Sequence, residues 1–201
     1  MSDAPASREK GRFAVTVYAG SRRRALPALK SLAADLGRAV AGRGWVLVYG
    51  GSNIGLMGAC ADAALAAGGR VEGVILDSFS RVAHRGLHAL DVVGDMRERK
   101  AGLARRGDAF VALPGGFGTL EEVSEILVER QLGFHHKPLV LVNADGFWDP
   151  LLALFARMGE SGLLAPEHAS VPSVVADVAG ALAAIDAQRA LPNAGPPVDK
   201  W

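Results

Sequence analysis

The sequence predicts an α/β fold: a doubly wound, mostly parallel Rossmann-like sheet with helices on both faces, built as a single domain. Three observations predict it. Short apolar runs of strand length alternate with longer segments whose apolar residues recur at helical spacing. Three of those runs end in glycine-bearing loops, at Gly20-Ser21, Gly50-Gly51-Ser52 and Gly115-Gly116-Phe117-Gly118. The 201 residues, half of them hydrophobic, suit one domain with a sizeable core and not a disordered chain.

The elements follow in order. Residues 1–12 are polar and read as a flexible tail. Phe13 to Ala19 (F-A-V-T-V-Y-A) is a first strand, and a helix from Pro27 to Ala41 sets Leu29, Leu32, Leu36 and Val40 on one face. Trp45 to Tyr49 is a second strand that runs into the Gly50 loop, with a helix starting near Leu56. Val71 to Ile75 is a strand, followed by a looser segment to about Leu87 and a strand near Leu90 to Val93. Met96 to Arg106 is a strongly basic helix with Asp95 at its N-cap. Ala109 to Leu113 (A-F-V-A-L) has the composition of a buried parallel strand. It leads through P-G-G-F-G-T-L-E-E into a helix over Thr119 to Leu132. The rest is a strand at Pro138 to Val142, a helix at Phe147 to Met158, a short edge strand at Val171 to Val175 and a helix at Asp177 to Ala190. Residues 191–201 are proline-rich and read as a second flexible tail. The expected domain is therefore 13–190, without repeat or linker.

Charge and cysteine content narrow the function. A net charge of +1 lacks the basic excess of a nucleic-acid binder. The single cysteine, Cys60, excludes an internal disulfide and a cysteine zinc cluster, and its small-residue helical setting reads as a buried structural thiol. No apolar stretch reaches membrane-spanning length and the start lacks a signal-peptide core, so no membrane is expected and the expected compartment is the cytoplasm. His135-His136 are adjacent in a turn, and His84 and His88 lie outside a helical pattern. No third ligand stands near either pair, so no metal is expected; no cofactor is expected either.

The stretch Pro114 to Glu122 organises the rest. Strand, glycine turn and helix start aim free N–H groups and the positive end of a helix dipole at an anion. Gly115, Gly116 and Gly118 remove side chains that would keep a ligand from the backbone. Three such loops at the carboxyl edge of one sheet suit a phosphate-bearing ligand of nucleotide size. None reads G-x-G-x-x-G and none is followed by G-K-[ST], which argues against a dinucleotide fingerprint and a Walker-type NTPase. Thr119 and Glu122 also have the spacing of a capping box, the structural alternative for Glu122. On a helical wheel Glu121, Glu122, Glu125 and Glu129 fall away from Leu120 and Leu127. In the basic helix Arg97, Arg99, Lys100, Arg105 and Arg106 cannot all point one way, but one guanidinium near its start can clamp a phosphate or carboxylate.

The segments G-G-S-N-I-G-L-M-G (Gly50 to Gly58), M-R-E-R-K-A (Met96 to Ala101) and P-G-G-F-G-T-L-E-E (Pro114 to Glu122) closely resemble the Lonely Guy family, over roughly residues 13–186. Its members are cytokinin riboside 5′-monophosphate phosphoribohydrolases, often mislabelled lysine decarboxylases. The resemblance implies a homodimeric enzyme that hydrolyses the N-glycosidic bond of a nucleoside 5′-monophosphate to free base and ribose 5-phosphate. It implies Arg99 and Glu122 as the catalytic pair. It implies that Lys100 and the Gly116 to Glu121 stretch line the nucleotide site, and with the glycine loops the expected substrate-binding residues are Gly20, Ser21, Gly50, Gly51, Ser52, Met57, Lys100, Pro114, Gly115, Gly116, Phe117, Gly118, Thr119 and Glu121.

The chain departs from the family pattern in three places. Arg81 stands where a substrate-binding glutamate is common before V-A-H-R-G-L, Val128 and Glu129 replace T-W, and the first loop reads G-S-R-R-R. These changes fall nearest the base, so the same chemistry on a different base stays open. A non-catalytic reading stays open as well, because molybdenum-cofactor carriers resemble this fold and its glycine loops; a pure carrier has no need of the Arg99 and Glu122 pair. Lysine decarboxylation is rejected. It needs a Schiff-base lysine, and Lys10, Lys30, Lys100, Lys137 and Lys200 lie in no cofactor setting.

Overall fold

The computed structural model describes residues 11–190. The expected tails at 1–12 and 191–201 lie outside the described residues, apart from Gly11 and Arg12. The strands form a seven-stranded sheet, as the predicted α/β class requires. The chain divides into two compact units at Asp108/Ala109.

The first unit holds β1 (Ala14–Tyr18), α1 (Pro27–Gly42), β2 (Val46–Tyr49), α2 (Gly55–Ala66), β3 (Val71–Leu76), β4 (Ala89–Val93) and α3 (Met96–Arg106). Its strand pairs are all parallel. The segment expected to be loose after β3 opens with a 3-10 helix, Asp77–Val82. Side chains alternate across a strand, so the two faces of β1 can be assigned from one contact. Thr16 donates its hydroxyl to the Leu103 carbonyl of α3 at 2.9 Å. Val15 and Val17 point to the other face and are 0% and 2% exposed, so both faces are covered.

α1 and α2 meet at Gly37. A Cβ there would overlap the Cys60 carbonyl oxygen and lie 3.1 Å from the Ala64 nitrogen, so only glycine permits the approach. Cys60 is buried in this contact, as its small-residue surroundings imply, and burial pushes its thiol up to about 12.

α3 starts where the sequence places it. Asp95 caps it by accepting from the Glu98 N–H at 2.8 Å. At its other end Arg106 pairs with Glu72 at 2.8 Å and with Asp91, and Glu72 also takes Arg70 at 2.9 Å. Glu72 is 2% exposed, so this network removes a carboxylate from water with its charge answered on two sides.

The second unit holds β5 (Ala109–Ala112), α4 (Phe117–Gln131), β6 (Leu139–Val142), α5 (Asp149–Glu160), α6 (Pro166–Ala169), β7 (Ser173–Val175) and α7 (Val178–Ala190). β6 pairs in parallel with β5 and with β7, which is the expected edge strand. α5 starts at Asp149 and not at Phe147, because a preceding turn captures those residues. Asn143 accepts the Trp148 N–H at 2.7 Å, and Asp145 adopts φ 51°. The four-residue α6 is too short for any periodic pattern to announce.

Arg130 stitches this unit together by donating to the Lys137 carbonyl at 2.6 Å and to Gln188 at 3.3 Å. His135 packs at a tilt against Phe110 with ring centroids 5.5 Å apart. Burial, helped by Lys137, Arg130 and His136, pushes its imidazole down to about 4.

Two outcomes are expected. Gly37→Ala should destabilise the protein by about 1–3 kcal/mol despite the higher helix propensity of alanine, measured by denaturant unfolding. An unfolded imidazole titrates near 6.5 while the folded His135 waits until about 4, so acid protonates the unfolded chain first. Stability therefore falls as pH drops through that window, and His135→Phe should flatten this part of the profile; an unchanged slope would contradict it.

Candidate active site

In the first unit the predicted residues gather beyond the carboxyl ends of β1 and β2. Gly55 has φ +65°, and the backbones of Gly20, Ser21 and Arg22 press against the space its side chain would fill. The Gly20 carbonyl accepts from Leu56 N–H at 2.9 Å and Met57 N–H at 3.4 Å. These N–H groups at the start of α2 are therefore already satisfied by the Gly20 carbonyl.

The Gly50 loop is braced as well. Gly51 adopts φ +74° and its carbonyl accepts from His84 N–H at 2.9 Å, while Asn53 N–H donates to Val82 at 2.8 Å. Between these bonds Ser52 and Ala83 form an antiparallel bridge, and Ser52 is 5% exposed.

Arg99 is what this frame holds. It lies in the second turn of α3 and is 7% exposed. A Cβ on Gly50 would overlap the Arg99 guanidinium and lie 2.9 Å from Met57 Sδ. Gly50 is therefore glycine because the guanidinium occupies that volume. Three predicted residues, Gly50, Met57 and Arg99, are brought together here around a permanent positive charge. Lys100, one step round the helix, is half-buried, and Ser21 is exposed.

In the second unit β5 delivers the chain through buried Leu113 and Pro114 to the glycines. Gly115 is fixed by packing, since a Cβ would overlap the Thr119 side chain, itself 3% exposed. Gly116 and Gly118 differ. Neither has a positive φ, and a Cβ on either would meet nothing within 4 Å. Turn geometry and packing leave both glycines unexplained, and open access to the backbone remains. Gly116 is the N-cap of α4 without a side-chain cap, and no backbone acceptor among the described residues takes the N–H groups of Phe117, Gly118 or Thr119. Phe117 is 93% exposed beside them.

Because α4 starts at Phe117, Thr119 is its third residue and not its N-cap. The capping-box reading of Glu122 therefore fails. Glu122 is 6% exposed on the face of Thr119, Val123 and Ile126, whereas Glu121 points outward. The four glutamates do not share one face: Glu122 is inside, Glu125 and Glu129 are half-buried, and Glu121 is in solvent. Burial, and then the Glu125 carboxylate, push Glu129 above the usual carboxylate range, with Lys137 opposing.

Among the described residues no three histidine, cysteine or carboxylate side chains cluster as metal ligands would, and no helix is long and apolar enough to cross a membrane. Lys30 donates to the Arg23 carbonyl at 2.9 Å, and Lys137 lies over the Phe110 ring at 5.5 Å. Neither resembles a cofactor lysine.

Known proteins bear on this geometry. A family model described as "Possible lysine decarboxylase" matches residues 57–185. A cytokinin riboside 5′-monophosphate phosphoribohydrolase of Rhodococcoides fascians is 46% identical over 174 residues, 85% of this chain and 88% of that protein. A probable enzyme of the same name from Oryza sativa subsp. japonica, LOGL1, is 42% identical over 158 residues, 77% of this chain and 71% of its own length. Among solved structures, the molybdenum cofactor carrier protein of Chlamydomonas reinhardtii superposes with a TM-score of 0.71 at 24% identity, covering 90% of this chain and 100% of its own. At that identity the likeness shows the fold alone.

The open space at Gly118 makes a measurable distinction. Gly118→Ala should hold or raise the melting temperature, because alanine gains up to about 1 kcal/mol of helix propensity over glycine. If the space admits a ligand, the same change weakens binding of AMP in calorimetry; unchanged affinity would return this glycine to an ordinary helix position.

Proposed function

This chain belongs to the family of cytokinin riboside 5′-monophosphate phosphoribohydrolases, and we propose that it hydrolyses the N-glycosidic bond of a nucleoside 5′-monophosphate of the cytokinin riboside or AMP type. The products are the free base and ribose 5-phosphate. The observation that carries the reading is Glu122, a carboxylate buried in the second turn of α4 with no capping role to explain it.

The residues have distinct tasks in this reaction. The 5′-phosphate binds at the uncapped start of α4, where free N–H groups and the helix dipole favour a dianion. Gly116 and Gly118 let it reach the backbone. As the C1′–N bond breaks, its electron pair leaves with the base and positive charge develops on the ribose. Glu122 stabilises that charge, takes a proton from the attacking water as its oxygen bonds to C1′, and returns a proton to the departing base. Arg99 holds an anionic or hydroxyl group of the nucleotide with its fixed fork. Lys100, Ser21 and Ser52 assist Arg99 in the first unit, Phe117 assists the start of α4 in the second, and residues 13–190 are the catalytic region of this reading. The protein works as a cytoplasmic homodimer.

The base remains the open choice within this chemistry. Arg81 and Val128 are exposed and Glu129 is half-buried, so a base other than a cytokinin-type adenine suits the altered positions. The carrier alternative has weaker support, since the carrier is 24% identical where the phosphoribohydrolase is 46% identical.

Glu122→Gln tests the assignment. The change is nearly isosteric and removes only the negative charge. It should lower kcat at least about a hundredfold, roughly 2.7 kcal/mol, with the melting temperature nearly unchanged and AMP still bound. Glu121→Gln, on the exposed face, should cost far less. Near-normal turnover in Glu122→Gln would remove it from the chemistry.

A further inference from the structure

The residues that hold the Gly50 loop are themselves held. His84 N–H donates to the Gly51 carbonyl at 2.9 Å, Asn53 N–H donates to Val82 at 2.8 Å, and Ser52 bridges Ala83. Three consecutive residues of the segment after β3 thus line up against three of the loop. The His84 side chain, 11% exposed, reaches the other way, to α2. Its Nδ1 accepts from the Gly86 N–H at 3.0 Å, which places the ring proton on Nε2. Nε2–H then donates to Asp62 Oδ1 at 2.9 Å.

These bonds close a circuit. The Gly50 loop leads directly into α2, α2 carries Asp62, Asp62 holds His84, and His84 holds Gly51. Val82 ends the 3-10 helix Asp77–Val82, and beyond it neither the loop nor Ala83 and His84 have regular secondary structure apart from the single bridge. The loop also forms the surface against which Arg99 lies, because Gly50 supplies the space for the guanidinium. Displacing Gly50 and Gly51 moves that surface.

We propose that His84, locked by Asp62, is a positioning residue that keeps the Gly50–Asn53 backbone and the Arg99 guanidinium in their nucleotide-binding arrangement. The proposal rests on the reading of this loop and Arg99 as part of the substrate site. His84 acts through the loop and touches no reacting atom. Only the neutral Nε2–H tautomer serves, since a ring protonated on both nitrogens cannot accept from Gly86. Asp62 contributes as an acceptor, and its charge is dispensable.

Four variants test this in the full chain: His84→Ala, Asp62→Ala, Asp62→Asn and the double alanine. His84→Ala and Asp62→Ala should each raise KM for AMP about tenfold with kcat little changed, a split that general loss of folded protein does not give. Asp62→Asn keeps an oxygen acceptor and should restore KM to near the original value. The double alanine should be no worse than either single change, as expected for one shared interaction. Amide hydrogen exchange supplies a readout independent of catalysis: the backbone N–H groups at positions 53 and 84 should exchange about tenfold faster in both alanine variants. Unchanged exchange overturns the brace itself. Faster exchange with unchanged KM overturns its link to the site. If the original protein neither binds nor cleaves AMP, the functional reading fails, and with it the positioning role, while the exchange rates still judge the brace separately.

Discussion

α3 must present one buried guanidinium in one direction, and most of the first unit serves that constraint. A slip of one residue along a helix turns a side chain by about 100° and shifts it about 1.5 Å, enough to take Arg99 away from Gly50. Four contacts prevent the slip. Asp95 caps the start, Thr16 binds the Leu103 carbonyl, and Arg106 is held between Glu72 and Asp91. The fourth is Gly102, where a Cβ would come within 3.2 Å of Val74. The buried pair is the most consequential of them. Removing one partner of such a pair costs about 3–5 kcal/mol, far more than an exposed ion pair.

The glycines near the site divide by what surrounds them. Gly50, Gly55 and Gly115 are required by atoms already present, whether a neighbouring backbone, the Arg99 guanidinium or the Thr119 side chain. Gly116 and Gly118 face open space with ordinary backbone angles. Sequence alone presents all of them as glycine loops. The ligand-facing character belongs to the second group, and it coincides with the one helix start among these loops whose N–H groups stay unclaimed by backbone.

Local pattern made most of the fold legible. The Met96 to Arg106 helix matches its predicted limits, and Asp95 is its cap because an acidic residue before a helical pattern has a local role. The same kind of reasoning does not settle Thr119 and Glu122, where only the capping-box alternative fails. Their spacing fits a capping box, but Gly116 is the N-cap and the helix begins at Phe117, so Glu122 lies in its second turn, among the buried residues. Of the predicted site, the contact of Gly50 with Met57 and Arg99 and the isolation of Glu122 from the cap needed three-dimensional placement. The Asp62–His84 bond escaped the sequence for the same reason. Periodicity reports which face of an element is buried, and not which residue of another element it meets. Nothing in the V-A-H-R-G-L segment names α2 as the partner.

The packing of Cys60 beneath Gly37 gives the protein a built-in chemical clock. A thiol reagent attacks the thiolate, and this thiol is both covered and held in its protonated form. Modification must wait until α1 and α2 part. The labelling rate of the sole cysteine in the chain therefore counts those separations directly, without any probe added to the protein. The same shielding lets the folded chain tolerate oxidants that would consume an accessible thiol.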